Sequence, residues 1–330
     1  MLKTICIGVP TYKRPDNLKD LLARLTPLLR PHIRLRIVND GSHDAEYERI
    51  VAPYSERIEY RILPENGGCG AARRACFEDA TEDYLVCIDD DCVPTGNWLD
   101  WLEALIEANP GVDLFAGDVR PFFARPPNAF TRALSVIDDA PSPLVNGYGL
   151  LTAVTANLAM KRSAYEAVGG FDPALRGTED CDITQKLLNG GAAYLISLDW
   201  VIEHIAKSSY FEMRKRFRGY GVNGARFVVA RQNWRHSSLQ NGGSFREIRE
   251  IVVIQFRREY ASAANRNMPR PEKFLRAVTR ALLMLEYCLG WRAGLREHGI
   301  RTKDELPRPP ALADSYVDFT KEDATALNLR

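Results

Sequence analysis

Short apolar segments alternate with amphipathic segments over the first two-thirds of the chain. The apolar segments predict strands at Thr4–Val9, Arg34–Val38, Ile58–Leu63 and Tyr84–Ile88. The amphipathic segments predict helices at Asn17–Leu29, Ala45–Tyr54, Gly70–Ala80 and Trp98–Ala108. Strands that alternate with helices at this spacing are typical of right-handed βαβ units. We therefore expect an α/β fold with a mostly parallel sheet flanked by helices.

The middle of the chain is less regular. A strand is predicted at Val112–Val119, and a proline-rich, irregular connection runs from Arg120 to Leu150. Regularity resumes with Leu151–Lys161 and with a short helix for which Ser163 and Glu166 have capping-box spacing. We expect glycines 169 and 170 to end that helix. A helix at Thr178–Asn189 and a strand at Ala193–Leu198 follow, and His204 comes just past this last predicted strand.

The chain beyond His204 is predicted to be mainly helical. The expected helices span Ser209–Arg231, Phe245–Ala264 and Glu272–His298. This pattern predicts a domain over residues 1–205, a helical region over 206–302 and an extended tail over 303–330. The last helix is amphipathic around residues 274–285. We expect it to pack on the catalytic domain or on a second subunit of a homodimer, with at most peripheral membrane contact as the alternative.

Composition and charge narrow the function classes. Of the 330 residues, 45% are hydrophobic and the net charge is +1, which is typical of a globular protein. No segment is apolar enough to cross a bilayer, and the N-terminus enters a strand without a signal-peptide pattern, so we expect a cytoplasmic protein. The seven cysteines form no CxxC pair, and we predict no disulfides.

Charge is distributed unevenly along the sequence. Residues 207–303 contain 21 Lys or Arg against 7 Asp or Glu, whereas the remainder contains 23 against 36. The basic part therefore fits an acidic partner: phosphate groups, an anionic surface or the acidic N-terminal part itself. We expect no nucleic-acid partner.

Polar motifs follow each of the early predicted strands. They are Pro10-Thr11-Tyr12-Lys13-Arg14, Asn39-Asp40-Gly41-Ser42, Asn66-Gly67-Gly68 with Gly70 and Arg73, and Asp89-Asp90-Asp91. The carboxyl ends of parallel strands meet at one sheet edge, where open α/β sheets bind ligands. Glycine N–H groups and an arginine can hold phosphate, and aspartates can hold a divalent cation. Together these motifs predict a site for a nucleotide diphosphate.

These ordered motifs resemble those of family 2 glycosyltransferases of GT-A fold. The resemblance continues through Thr155-Ala156-Asn157, Met160-Lys161-Arg162, Gly169-Gly170-Phe171-Asp172 and Gly177-Thr178-Glu179-Asp180, and it covers roughly residues 4–205. It implies a metal-dependent inverting transfer of one sugar from a UDP-, dTDP- or GDP-linked donor to an unidentified acceptor. The cofactor it implies is Mg²⁺ or Mn²⁺.

The resemblance also implies roles for individual residues. Asp180 would be the general base, Asp91 and Asp89 the metal ligands, and Asn157 and Glu179 would line the acceptor and sugar side. The nucleotide-binding set would be Pro10, Thr11, Tyr12, Arg14, Asp40, Asn66, Arg73, Asp89 and Asp90. The like charge of Glu179 could raise the pKa of Asp180. His204 is a weaker candidate for a third metal ligand, since an isolated histidine is more often structural.

Three other readings fit parts of the sequence. Gly68-Cys69-Gly70 follows a strand and precedes Asp89 by about twenty residues, as in an NAD(P)-dependent oxidoreductase. Arg73 stands where that motif has its third glycine. Asp89-Asp90-Asp91-Cys92-Val93 is similar to a phosphatase nucleophile motif, although that motif belongs on a first strand. A non-catalytic subunit that binds sugar nucleotides or glycans is the third alternative.

Overall fold

The computed structural model describes residues 2–134, 144–145, 151–231, 244–265, 268–301 and 305; for residues 144–145, 151 and 262–265 it describes the backbone alone. The described residues form two compact units. One contains those up to Phe122 and from 144 to Ile205, and the other contains 123–134 and those from Ala206 to 305. Residues 123–134, placed in the first domain from sequence, cluster with the second unit. The predicted tail, 303–330, lies outside the described residues apart from residue 305.

The strands of the first unit form an eight-stranded mixed sheet and a small hairpin. The strands are β1 (Ile5–Thr11), β2 (Ile33–Asn39), β3 (Ile58–Ile62), β4 (Tyr84–Cys87), β5 (Cys92–Pro94), β6 (Leu114–Phe122), β7 (Leu144–Val145), β8 (Leu151–Thr152), β9 (Leu158–Lys161) and β10 (Tyr194–Ile205). The sheet order is β3-β2-β1-β4-β9-β6-β10-β5. The first four strands of this order are parallel, and so are β6 and β10; β9 and β5 run antiparallel to their neighbours. The predicted α/β class is confirmed.

The helices follow the amphipathic segments of the sequence. They are α1 (Pro15–Leu25), α2 (Ala45–Val51), α3 (Cys69–Phe77), α4 (Trp98–Ala108), α5 (Ala129–Leu134), α6 (Arg162–Ala167), α7 (Glu179–Asn189), α8 (Tyr210–Arg231), α9 (Phe245–Asn265) and α10 (Arg270–Glu297). In α1, Leu18, Leu21, Leu22 and Leu25 recur at helical spacing, and all four are buried. None of the helices in the described ranges combines the length and apolar character that crossing a bilayer requires.

Three expectations from sequence were wrong in detail. The last strand continues to Ile205, so His204 lies within β10 rather than after it. The proline-rich connection contains a helix, α5, and the end of β6. Ser163 and Glu166 form no capping box, because α6 begins at Arg162, whose guanidinium pairs with Glu166 at 2.8 Å. Gly169 and Gly170, both at positive φ, end the turn after α6 as expected.

The core of the first unit holds β4 at the centre of the sheet. All four β4 residues are buried, between β1 and β9. Helices α3 and α7 share one apolar cluster with these strands, through Ala72 and Cys76 on α3 and Ile183 and Leu187 on α7. This packing fixes the first turn of α7 and the first turns of α3 close to the end of β4.

The second unit is organised around α10. Its Ala277, Leu283, Trp291 and Leu295 are buried, and α8, α9 and α5 pack against it. Glycines allow the backbones of α8 and α10 to approach closely: a Cβ at Gly221 would lie 2.0 Å from the Tyr287 carbonyl oxygen. The amphipathic helix α10 thus packs on α8, α9 and α5 of its own unit, and its packing on the catalytic domain or on a second subunit stays a prediction.

Candidate active site

Strand order brings Asp89, Asp91 and His204 together at one edge of the sheet. The two aspartates follow β4, and the chain turns directly into β5, which pairs antiparallel with β10. This pairing sets His204 opposite Cys92, one residue after Asp91. One ligand atom from each of the three side chains lies within 4.8 Å of the other two. The extension of β10 therefore completes the group.

The three side chains fit a divalent cation. His204 Nε2 lies 3.0 Å from Asp91 Oδ1 and 4.0 Å from Asp89 Oδ2. Asp91 and His204 are buried, and His204 Nδ1 has no hydrogen-bond partner among the described residues. The neighbouring carboxylates of Asp89 and Asp91 repel each other, and a cation bound between them would offset that repulsion. A donor set of two carboxylates and one imidazole suits Mn²⁺ or Mg²⁺.

Asp90, between the two candidate ligands, faces the protein interior. Its carboxylate accepts a hydrogen bond from Thr11 Oγ1 at 2.7 Å and pairs with Arg14 at 2.9 Å. Arg14 reaches Asp91 Oδ2 as well, also at 2.9 Å. Burial raises the pKa of Asp90 to about 7, against the opposing effect of Arg14. Both Asp90 oxygens thus have partners within the protein, and its contact with the nucleotide sugar stays a prediction.

Tyr47 organises the same corner, and sequence reasoning missed it. Its hydroxyl accepts a hydrogen bond from the Arg14 backbone N–H at 2.7 Å and lies 3.3 Å from Thr11 Oγ1. Tyr47 belongs to no sequence motif. The periodicity of α2 indicates only that Tyr47 lies on the buried side of the helix. Pro10 and Tyr12 are half-buried at the end of β1, and the Lys13 ammonium lies 5.1 Å from the centre of the Tyr12 ring.

Asp40 closes the glycine-rich loop that precedes α3. Its Oδ1 accepts from Gly67 N–H at 2.8 Å, and its Oδ2 accepts from Gly68 N–H at 2.9 Å and from Asn66 Nδ2 at 2.7 Å. The N–H of Gly70 donates to the Leu175 carbonyl at 2.9 Å. These N–H groups therefore bind protein oxygens in this structure, and their contact with phosphate stays a prediction.

Arg73 links the sheet edge to α7. It is buried, its Nη1 donates to Glu179 Oε1 at 2.5 Å, and its Nη2 pairs with Asp89 Oδ1. Both terminal nitrogens thus bind protein carboxylates, so this geometry does not support the expected contact of Arg73 with nucleotide. Glu179 is buried too, and its burial raises its pKa to about 7 although Arg73 opposes the shift. The arginine holds the first turn of α7 against the end of β4.

Asp180 lies beside Glu179 in the first turn of α7. Its Oδ1 accepts a hydrogen bond from the Cys181 backbone N–H at 2.8 Å. Withdrawal from water raises the pKa of Asp180, and Asp89 adds to the rise. Burial is therefore the main cause of the shift, rather than the repulsion from Glu179 that the sequence suggested. Thr178, which precedes the helix, has φ of +65°, a strained conformation for a β-branched residue.

Asn157 is placed differently from the sequence expectation. Its side chain is fully buried, Oδ1 accepts from Trp98 Nε1 at 3.0 Å, and Nδ2 donates to the carbonyls of Trp200 and Asp118 at 2.8 and 3.0 Å. A Cβ at Gly117 would collide with this amide at 2.1 Å. Asn157 thus joins β6, β10 and α4, and its place on the acceptor and sugar side stays a prediction.

Sheet order and the carboxylate-rich edge together define the GT-A class of nucleotide-sugar enzymes. The sequence pattern described as glycosyl transferase family 2 matches residues 6–169. The chain belongs to this family and is a glycosyltransferase.

Two curated relatives are about a quarter identical to the chain over the residues that align. Glycosyltransferase AglE of Haloferax volcanii is 25% identical over 221 residues, which is 66% of this chain and 72% of AglE. The pre-mycofactocin glycosyltransferase of Mycobacterium tuberculosis is 24% identical over 247 residues. That match takes in 73% of this chain but only about half, 51%, of the mycobacterial protein.

Two solved structures share the fold. The mannosyltransferase PcManGT from Pyrobaculum calidifontis, in complex with GDP-Man and Mn²⁺, has a TM-score of 0.58 at 16% identity, covering 89% of this chain and 88% of PcManGT. S. aureus TarS 1-349 in complex with UDP-GlcNAc has a TM-score of 0.52 at 17% identity. The match covers 90% of this chain and 92% of the TarS chain. This likeness confirms the GT-A fold.

Proposed function

We propose that the chain is a metal-dependent, inverting glycosyltransferase. It transfers one sugar from a nucleotide-diphosphate sugar to a hydroxyl or other nucleophile on a small molecule, peptide or glycan. The observation that carries the proposal is the convergence of Asp89, Asp91 and His204 at the sheet edge. Mn²⁺ in the PcManGT complex supports a divalent cation here. The sugar nucleotides bound to that protein and to TarS support a GDP- or UDP-linked donor. The acceptor, a cytoplasmic location and a homodimer stay predictions.

A bound divalent cation would neutralise the diphosphate as it leaves the sugar. Asp89, Asp91 and His204 would hold it, and Arg14 would keep Asp91 Oδ2 turned away from the cation. Pro10 and Tyr12 would contact the nucleoside from the end of β1. In an inverting displacement, the acceptor oxygen bonds to the anomeric carbon as the bond from that carbon to the diphosphate breaks. Asp180 would take the acceptor proton in the same step.

Arg73 supports this assignment of Asp180. The residue joins Asp89 to Glu179, and Glu179 is the neighbour of Asp180 in the first turn of α7. The buried guanidinium of Arg73 therefore fixes the position of Asp180, the proposed base, relative to the candidate metal ligand Asp89. The raised pKa of Asp180 also makes it a stronger base than an ordinary aspartate.

Thermal unfolding with sugar nucleotides tests the donor and the cation together. We expect a UDP- or GDP-sugar to raise the melting temperature with Mn²⁺ and to raise it less with EDTA, because a ligand stabilises the state it binds. In Asp91→Ala the effect of Mn²⁺ should vanish. In Asp180→Asn the shift should stay, while sugar transfer or donor hydrolysis falls by about 10²–10⁴-fold. A fully active Asp180→Asn variant would exclude Asp180 as the base.

A further inference from the structure

The outer face of α9 carries an exposed mixture of arginines and apolar side chains. Arg249, Val253 and Arg257 are spaced by four residues, and Ile254 and Arg258 repeat the spacing one position on. Residues at this spacing share one side of a helix. The outer face of α9 is thus formed by Arg249, Val253, Ile254, Arg257, Arg258 and Tyr260.

The arginines and the apolar side chains of this face are both exposed to solvent. Val253 is 42% exposed, Ile254 62% and Tyr260 39%. In the same unit, Phe274 of α10 is 57% exposed, and its ring meets Phe256 of α9 at 6.1 Å. The ring of Tyr260 stacks on that of Phe256, and the two ring centres are also 6.1 Å apart. The apolar part of the face therefore continues onto the start of α10.

Within the ranges that the structure describes, the arginines of the outer face have no ion-pair partner. Arg246, one turn earlier, pairs with Glu250 at 3.0 Å. No carboxylate in the described part of the chain lies within 4.0 Å of Arg249, Arg257 or Arg258. The guanidinium groups of these three arginines, around exposed Val253 and Ile254, make a surface that attracts negative charge and also gains from burial of apolar area.

We propose that the outer face of α9 docks on an anionic lipid surface. Arginines flanking exposed aliphatic and tyrosine side chains match the charged headgroups and the apolar boundary beneath them. A second copy of the chain fits less well, because a symmetric contact would bring the same arginines together. The surface lies on α9, whereas the sequence directed attention to α10, whose Arg276 and Arg280 are buried.

Sedimentation with lipid vesicles tests the proposal on the full chain. We expect binding to vesicles of phosphatidylcholine mixed with phosphatidylglycerol, and little binding to phosphatidylcholine alone. Each arginine near an anionic leaflet contributes about a fivefold gain in binding. The variant Arg249→Gln/Arg257→Gln/Arg258→Gln should therefore bind about 100-fold more weakly, and added salt should weaken the binding of the unmodified chain.

A matched variant controls for net charge. Lys19→Gln/Arg24→Gln/Arg49→Gln removes three positive charges from exposed positions of α1 and α2 and should bind like the unmodified chain. Equal binding by the two triple variants would overturn the proposal. Retention on immobilised polyglutamate without vesicle binding would also overturn it, in favour of an acidic protein partner. Vesicle binding requires no turnover, so its failure and a failure of the transferase reaction are separate results.

Discussion

Arg73 is buried between the carboxylates of Asp89 and Glu179, and each of its terminal nitrogens pairs with one of them. A buried ion pair contributes little net stability, but removal of one partner leaves an uncompensated charge in low dielectric. The side chain thus makes the integrity of the site and the stability of the first unit depend on the same contact.

Replacement of Arg73 by methionine should destabilise the protein strongly. We expect Arg73→Met to lower the free energy of unfolding by about 3–5 kcal/mol, because Glu179 and Asp89 lose their counter-charge. Urea unfolding measures the change, with Arg24→Met at an exposed position of α1 as the control. Arg73→Met/Glu179→Gln should recover part of the loss, and a double variant less stable than Arg73→Met would contradict the explanation.

The pH dependence of donor hydrolysis should report on Asp180. Only the ionised carboxylate can accept a proton, so the rate falls as pH falls through the pKa of Asp180. Because removal from water raises that pKa above the ordinary 3.8, the acid limb should have its midpoint above this value. Initial rates across pH with saturating Mn²⁺ measure the midpoint. A rate that stays constant down to about pH 4 would count against an elevated pKa.

At the scale of elements, the glycines of α8 separate into two kinds. Gly221 faces α10, where a Cβ would lie 2.0 Å from the Tyr287 carbonyl, whereas a Cβ at Gly219 would meet nothing within 4 Å. Gly221 is therefore required for the packing of α8 on α10. Gly219, two residues earlier on the same helix, only weakens the helix.

Alanine at these two positions should therefore change stability in opposite directions. We expect Gly221→Ala to destabilise by about 1–3 kcal/mol, because the α8 and α10 backbones must separate. Gly219→Ala should stabilise by roughly 0.5–1 kcal/mol through helix propensity. The urea midpoint of the helical circular dichroism signal measures both. A Gly221→Ala variant as stable as the unmodified chain would show that the two helices pack less closely than described.

The elements themselves were largely predictable from sequence, since strong periodicity reflects burial. The predicted helix at Trp98–Ala108 has the observed bounds, and the early strands differ by one or two residues. The extension of β10 was not predictable, because a bulge between Ser197 and Val201 interrupts its alternation. The same break concealed the position of His204. Contacts such as Asp40 with Gly67, or Arg14 with Asp91, join residues distant in sequence, and their motifs carry no sign of them.

At the scale of the whole molecule, uneven charge along the sequence corresponds to two units with different chemistry. The acidic carboxylates of the site lie in the first unit, and the exposed arginines of α9 lie in the second. Many of the other basic residues are paired; Arg214 and Arg218 of α8, for example, both contact Glu286. Part of the positive charge of the segment 214–218 is thus balanced within its own unit.

Removal of divalent cations by a chelator should abolish the activity of the first unit. We expect EDTA to abolish donor hydrolysis and Mn²⁺ to restore it, because a cation held by Asp89, Asp91 and His204 would neutralise the leaving diphosphate. A conservative His204→Gln variant should retain the fold and require more Mn²⁺ for half-maximal rate. The metal titration of the rate measures this, and an unchanged requirement would exclude His204 as a ligand.

The place of β10 in the sheet has a consequence during synthesis. Strand β10 lies between β6 and β5, yet it is the last strand of the sheet to leave the ribosome. At about 5–20 residues per second, His204 follows Asp91 by roughly 5–25 s. During that interval Asp89 and Asp91 lack their third neighbour, and β5 lacks its pairing partner. The nascent chain therefore emerges with its first strands before the three candidate cation ligands can meet, and a cation that needs all three would bind only after β10 has joined the sheet.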